Sequence, residues 1–271
     1  MLFVLTNLLG LGSIHADGGK VTNSSYAGAG GGGRIAVYAS DYSGFALTNL
    51  AASGGRAGYP GGPGTVYVKG AGGSVGTLVI DAAGGGSGTT PLGLAESNTF
   101  AVAVPVVIRG NGGLVRLEHP GIAASFGSSL RVEGGVRLEV EGPVTLGGQL
   151  VVDGATVVAT NIAGTSLLLT NDSLLTTFAS SSARVCALQL SFSSAAVLSS
   201  DSRIDVTGKG YLGGRTSGNT TTNASTGRSG GSYGGSGGMG VGVANAVYGD
   251  YADPRDWGSG AADTAAGGGL V

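Results

Sequence analysis

The sequence predicts an all-β protein, a right-handed parallel β-helix (β-solenoid) carrying long glycine-rich loops. Three observations predict it. Short apolar alternations of period two recur along most of the chain; glycine supplies 57 of the 271 residues; and no useful window carries the i, i+3, i+4, i+7 apolar stripe of a helix. Apolar residues make up 41% of the chain but aromatic ones only 6%, so the core has to be built from Val, Leu, Ile and Ala. Small aliphatic side chains stacked on their equivalents in the next coil need few aromatics. Connections this short and this glycine-dependent favour coils over the longer crossovers of a sandwich or barrel.

The first segment, MLFVLTNLLGLGSIHADGG, reads as an internal strand. A short secretory signal within residues 1–16 is the alternative. Against it stand an n-region without Lys or Arg and an apolar run broken by Thr6 and Asn7. The run also lacks the ~20 apolar residues needed to cross a bilayer. Residues 1–92 are glycine-rich solenoid repeats. SIHADGG at 13–19 and NLAASGG at 49–55 are each a short alternation ending in glycine, and RIDVTGKG at 203–210 is a third. His15 thereby becomes equivalent to Ala51 and Asp205, a tolerant outward position. After the first two, a glycine-rich loop leads into a further alternation, GGGRIAVYA at 31–39 and GPGTVYVKG at 62–70.

Residues 93–207 read as regular coils. In SLRVEGGVRLEVEGPVTL, Leu130 and Val132 point one way and Arg131 and Glu133 the other; Val136, Leu138 and Val140 alternate with Arg137 and Glu139 in the same manner. Glycines and Pro143 punctuate these strands at corner spacing. A corner needs positive φ or a close backbone approach that a Cβ would block, so the usual cost of glycine, ~0.5–1 kcal/mol relative to Ala, does not apply there. Residues 208–271 form a Gly/Ser-rich loop and the start of a next repeat, and neither end shows the polar cap of a terminal repeat. The chain is thus expected to be a slice of a longer protein. The longest runs, GGSYGGSGGMG above all, exceed what a corner needs and read as solvated loops. The alternative is extended strands whose bare backbones pack against one another.

GAGGGGRIAVYASDYSGF, GGPGTVYVKG, IDVTGKGYLGG and YGDYADPRDWGSG…GGGLV resemble segments of very large, glycine-rich, parallel β-helix surface proteins of bacteria and protists, described as adhesin-like. The resemblance covers roughly residues 10–92 and 200–271. It implies an extracellular or cell-surface location and an elongated structural or adhesive role. It carries over no catalytic residue.

Chemical motifs add little. Net charge is −2 and the 14 basic residues are scattered, which excludes the clustered Lys and Arg of a nucleic-acid surface. A single cysteine, Cys186, sits in an alternating apolar stretch and reads as a packed structural thiol. The GxGxxG at 28–33 precedes a strand rather than a helix, so it is not a dinucleotide fingerprint. GxSxG recurs around Ser74, Ser232 and Ser236 through composition alone, and the chain holds only His15 and His119 to serve as bases. No metal-ligand spacing exists, and no cofactor is expected. Asp250, Asp253, Asp256 and Asp263 offer oxygens for Ca²⁺ or, equally, ordinary Asx turns. Tyr248, Tyr251 and Trp257 form a candidate glycan platform, with anchoring of the loop as the competing role. Asn23, Asn171, Asn219 and Asn223 each head an N-glycosylation sequon.

The expected function is a non-catalytic structural or adhesive segment of a larger repetitive surface protein, with surface glycans or further copies of the parent protein as partners. The alternatives are a carbohydrate-active, pectin-lyase-like enzyme and a glycan-binding module. For the enzyme, Asp201 and Asp205 share one strand face and are the candidate carboxylate pair.

Overall fold

The computed structural model describes residues 2–22, 26–70, 75–82, 90, 99–116 and 122–271. Among these, regular structure is strand, apart from two single-turn 3-10 segments at Leu47–Asn49 and Ser217–Asn219. The glycine-rich start holds β1 (Leu2–Asn7), β2 (Ile14–His15), β3 (Arg34–Asp41), β4 (Leu50–Ala51) and β5 (Gly64–Gly70). Then come β6 (Thr77–Ala82), β7 (Thr99–Val102), β8 (Val106–Gly110), β9 (Leu114–Arg116), β10 (Ala123–Phe126), β11 (Leu130–Glu133) and β12 (Arg137–Leu146). The last are β13 (Gln149–Asp153), β14 (Thr156–Thr170), β15 (Leu174–Thr176), β16 (Gln189–Leu198) and β17 (Arg203–Ile204). No described helix is long and apolar enough to cross a membrane. Two compact units result, one of Met1–Val158, Ile162–Leu174 and Ser191–Arg203, the other of Ala159–Asn161, Leu175–Leu190 and Ile204–Val271.

The protein is therefore all-β with a mostly parallel sheet. In the first unit β1, β3 and β5 pair in parallel, as do β6, β8, β11 and β13, and a second parallel run joins β7, β10 and β12. The exception is β5 with β6, which run antiparallel. Only residues 71–76 join them, too few for the crossover that a parallel pair requires.

Register turns the alternation into columns. Leu78, Val106, Leu130, Leu150 and Leu167 are successive Cα partners, and so are Ile80, Ile108, Val132, Val152 and Leu169. All but Leu78 are buried. Fully burying one such side chain stabilises by about 1.5–3 kcal/mol, and the column repeats that gain at each strand. The alternate column between them is mixed: Val79 and Val151 are buried, Val107 is half-buried, and Arg131 stands partly exposed beside Val107 and Val151. The glycine-rich repeats build the same kind of core, with Ile35, Val37, Phe45, Leu50, Val66 and Val68 in one buried cluster.

The corner after each strand explains the glycines there. Gly134 (φ 70°) follows Glu133, Gly154 (φ 59°) follows Asp153, and Asn171 (φ 59°) follows Thr170. Each turns the chain in the left-handed region, which glycine enters freely and asparagine tolerates because its side chain bonds locally. At Gly134 a Cβ would also strike the Gly110 carbonyl oxygen.

The glycine runs are not simply solvated loops. In the first unit Gly30 donates to the Gly19 carbonyl at 3.1 Å, Gly55 to the Gly30 carbonyl at 2.9 Å, and Gly61 to the Gly55 carbonyl at 3.0 Å. A Cβ on Gly18 or Gly61 would land on the Gly30 carbonyl, and one on Gly55 would land on the Gly19 carbonyl. Side chains are excluded because neighbouring backbones occupy the space. The second unit repeats the device: Gly258 donates to the Gly268 carbonyl at 2.9 Å and Gly210 to that of Gly267 at 2.8 Å. In GGSYGGSGGMG, Gly231, Gly237 and Gly240 approach backbone in this way, while Gly234 and Gly235 face open space. The solvated-loop expectation thus holds for the tip of that run and fails for its stem, because buried amides need partners and here they find them in other backbones.

Adjacent glycines give a test. Gly18→Ala drives a methyl into the Gly30 carbonyl, whereas a Cβ on Gly19 meets nothing within 4 Å. Gly18→Ala is expected to destabilise by about 1–3 kcal/mol, and Gly19→Ala to be neutral or stabilising by up to about 1 kcal/mol. Urea unfolding of both variants checks this; equal effects would contradict backbone-on-backbone packing.

Candidate functional site

The ends of four parallel strands line an open cleft. Asp81, Arg109, Glu133 and Asp153 are successive Cα partners at the C-terminal ends of β6, β8, β11 and β13. Their neighbours Ile80, Ile108, Val132 and Val152 are fully buried, and period-two alternation puts the four charged residues on the opposite side of their strands, where Asp81 is nonetheless covered. The corner residues Gly110, Gly134 and Gly154 follow directly and carry no side chain. The segment holding Thr48 and Ala51 forms the facing wall, and Asn111 completes the lining of an open cleft of about 610 Å³.

Electrostatics within the cleft are closed internally. Arg109 donates to the carbonyls of Leu47 (3.2 Å) and Leu50 (2.5 Å) and approaches Asp81 at 3.4 Å. Asp81 is itself buried and also accepts from the Ala52 amide at 3.3 Å. Burying a carboxylate is costly unless it is paired and hydrogen-bonded, and this one is both. Arg131 spans Glu133 and Asp153, bonding each. Asn171 donates to the other Asp153 oxygen at 2.5 Å. Glu133 and Asp153 stay partly exposed at the cleft surface.

A second ionic cluster lies on β9 and β12. Sequence alternation turns Glu139 outward, yet it is only 8% exposed. Arg137 donates to it at 2.7 Å and Arg116 bonds it through both Nε and a terminal nitrogen. The two arginines cover the carboxylate that they neutralise. Burial alone would raise the pKa of Glu139, but the hydrogen bonds and charges of Arg137 and Arg116 outweigh it and hold the carboxyl below the ordinary glutamate range.

The sequence-derived candidates fall as follows. His15 is exposed and meets Asp17 at 3.0 Å, and its register partner is Ala51. Asp201 is exposed and accepts from Ser199 and Ser202; the Ser199 bond leads in lowering its pKa. Asp201 is therefore not held as a proton donor. Asp205 accepts from the Thr207 amide at 2.8 Å. Buried Ser232 donates to the Asn245 carbonyl at 2.6 Å and accepts from the Gly237 amide at 2.9 Å, a structural use of its hydroxyl. Asn23, Ser74 and His119 lie outside the described residues. Asn171, Asn219 and Asn223 all have positive φ, so left-handed turns account for asparagine at each. The Asn219 amide nitrogen already donates to the carbonyls of Ser181 and Ser182.

The aromatic platform is not assembled. Trp257 packs edge-on to Tyr211 at 6.0 Å and donates through Nε1 to the Cys186 carbonyl at 3.0 Å. Tyr248 pairs with Tyr233 at 5.1 Å and bonds the Trp257 carbonyl and the Ser259 hydroxyl. Tyr251 alone is fully exposed. The first two aromatics anchor the loop, the competing role that the sequence allowed. Among the four aspartates, Asp250 accepts from the Ala252 amide, Asp253 pairs with Arg255 at 2.6 Å, and Asp263 accepts from the Thr264 amide. Asp256 accepts from the Tyr211 hydroxyl, the Ser217 hydroxyl at 2.5 Å and the Trp257 amide. Burial first, and then the Asp256 carboxylate, push the Tyr211 phenol far above its usual range, so it remains a donor. No group of three His, Cys, Asp or Glu positioned for a metal exists among the described residues.

Sequence reasoning missed the cleft column itself and Asn245, which ties Ser225, Ser232 and Ser259 together. Charged residues closing an apolar alternation just before glycine were the available signal for the column; Asn245 offered none.

Glu139 makes stability pH-dependent with a defined sign. Its folded pKa is depressed, so its contribution is full above the ordinary glutamate value of ~4.3 and is lost as pH falls from there through the lower folded value. Glu139→Gln should flatten that acid limb in urea unfolding measured from pH 7 to pH 2. An unchanged limb would show that the arginines do not stabilise the ionised form.

No family model, curated protein or solved structure matches this chain.

Proposed function

We propose that this chain is a non-catalytic, extracellular structural and adhesive segment of a larger repetitive surface protein, built as a right-handed parallel β-solenoid. The observation that carries the reading is the in-register column. Aliphatic residues from successive strands stack on their own kind, and β11, β13 and β14 are followed by residues in the left-handed region, Gly134, Gly154 and Asn171. A layout of that type extends by adding coils, each contacting only its neighbours, which suits a spacer. Closed ion pairs on the outer face suit a wall exposed to variable salt, since paired charges tolerate screening better than an isolated field does. Surface glycans or further copies of the parent protein are the expected partners.

A carbohydrate-active enzyme of the pectin-lyase type is the second reading, and the cleft favours it more than Asp201 and Asp205 do. Its carboxylates arise from separate strands around an open space, as glycoside chemistry requires. Against it, Asp81, Glu133 and Asp153 are all bonded by arginine, so each carboxylate already serves an ion pair within the protein.

Beads coated with the purified chain are expected to cohere or to adhere to glycan-coated surfaces, and the chain to release no reducing ends or unsaturated products from a panel of polysaccharides. Absence of any adhesion would remove the adhesive reading. Measurable product would replace it with the enzymatic one.

A further inference from the structure

We infer that the cleft at the ends of β6, β8, β11 and β13 binds an uncharged, hydroxyl-rich polysaccharide. The inference rests on the adhesive reading above and gives it a contact surface. Gly110, Gly134 and Gly154 line its floor beside the methyl of Ala51, so the lining there is mostly apolar. A sugar ring offers such a floor its C–H face. Around it stand carboxylate acceptors on Glu133 and Asp153 and neutral donors on Thr48 and Asn111, both exposed at the mouth.

Charge selects against the other glycan classes. Three carboxylates face two guanidiniums, and both guanidiniums are turned onto the protein's own acceptors. Arg109 serves Leu47, Leu50 and Asp81, and Arg131 serves Glu133 and Asp153. An incoming uronate or sulfate would meet the carboxylates of Glu133 and Asp153 without a cation directed at it. Sugar hydroxyls, by contrast, donate to carboxylate lone pairs still open after the arginine bonds, because each ionised oxygen accepts more than one hydrogen bond. Vicinal hydroxyls can accept from the Asn111 amide and the Thr48 hydroxyl at the same time. No aromatic side chain is among the lining residues, so affinity per site is modest and gains strength through repetition of the parent chain.

The test is isothermal titration of the purified chain with xyloglucan, galactomannan, a mixed-linkage β-glucan and polygalacturonate. At least one neutral polymer should bind and polygalacturonate should not. Thr48→Trp, which fills the mouth from an exposed position, and Glu133→Gln, which keeps shape and removes charge, should each weaken binding about tenfold, the equivalent of one or two hydrogen bonds, with unchanged circular dichroism. Failure of every neutral polymer, stronger binding of polygalacturonate, or full affinity in both variants would overturn the inference. Bead cohesion that persists without glycan binding would leave the adhesive reading standing and remove only this surface.

Discussion

The structure depends on the spacing of neighbouring backbones in a parallel, in-register stack. Adjacent strands lie about 4.7–4.9 Å apart, so each side chain meets its equivalent one strand away. On the inner side that constraint rewards sameness, and Leu130, Leu150 and Leu167 satisfy it. On the outer side it penalises sameness, because like charges directly opposite destabilise. Asp81, Arg109 and Glu133 alternate in sign along their column; Glu133 and Asp153 do not. Arg131, one column away, reaches across to both and repairs the mismatch.

Where the stack continues without side chains, the same constraint takes another form. At Gly18, Gly30, Gly55 and Gly61 backbones approach so closely that amide and carbonyl groups become the packing surface as well as the hydrogen-bond partners. The second unit extends this into a polar interior in which Ser225, Ser229, Ser232 and Ser259 are buried and Asn245 links three of them. An unsatisfied donor in such an interior costs about 1–3 kcal/mol, which explains why small hydroxyl side chains accompany the glycines.

Much of the fold was legible in the sequence because a stack writes its geometry locally. Alternation identified the buried faces of β11 and β12, and the comparison of SIHADGG with NLAASGG placed His15 opposite Ala51, its observed partner. GGGRIAVYA and GPGTVYVKG, read as the alternations that follow those two segments, pair in parallel as β3 and β5, with Arg34 opposite Thr65. The antiparallel step between β5 and β6 was not legible, since alternation carries no strand direction. Nor was the burial of Glu139, which depends on two arginine side chains folding over it. The cleft was hidden for a third reason. Its four charged residues lie at unequal sequence intervals and become neighbours only through register, whereas the aspartates of YGDYADPRDWGSGAAD look clustered in sequence but are spent separately, Asp250, Asp253 and Asp263 on local bonds and Asp256 on the distant Tyr211 and Ser217 hydroxyls.

The cleft and the corners are one feature seen from two sides. A left-handed corner calls for glycine at 134 and 154, and a glycine leaves the surface above it bare. Where the corner passes to asparagine at 171, the backbone requirement is met equally well, but the new side chain lies against Asp153 and bonds it. The row of glycine corners therefore ends at that strand. At position 134 the fold itself excludes a side chain, because a Cβ would strike the Gly110 carbonyl oxygen, whereas at position 171 the side chain is accommodated and bonds Asp153.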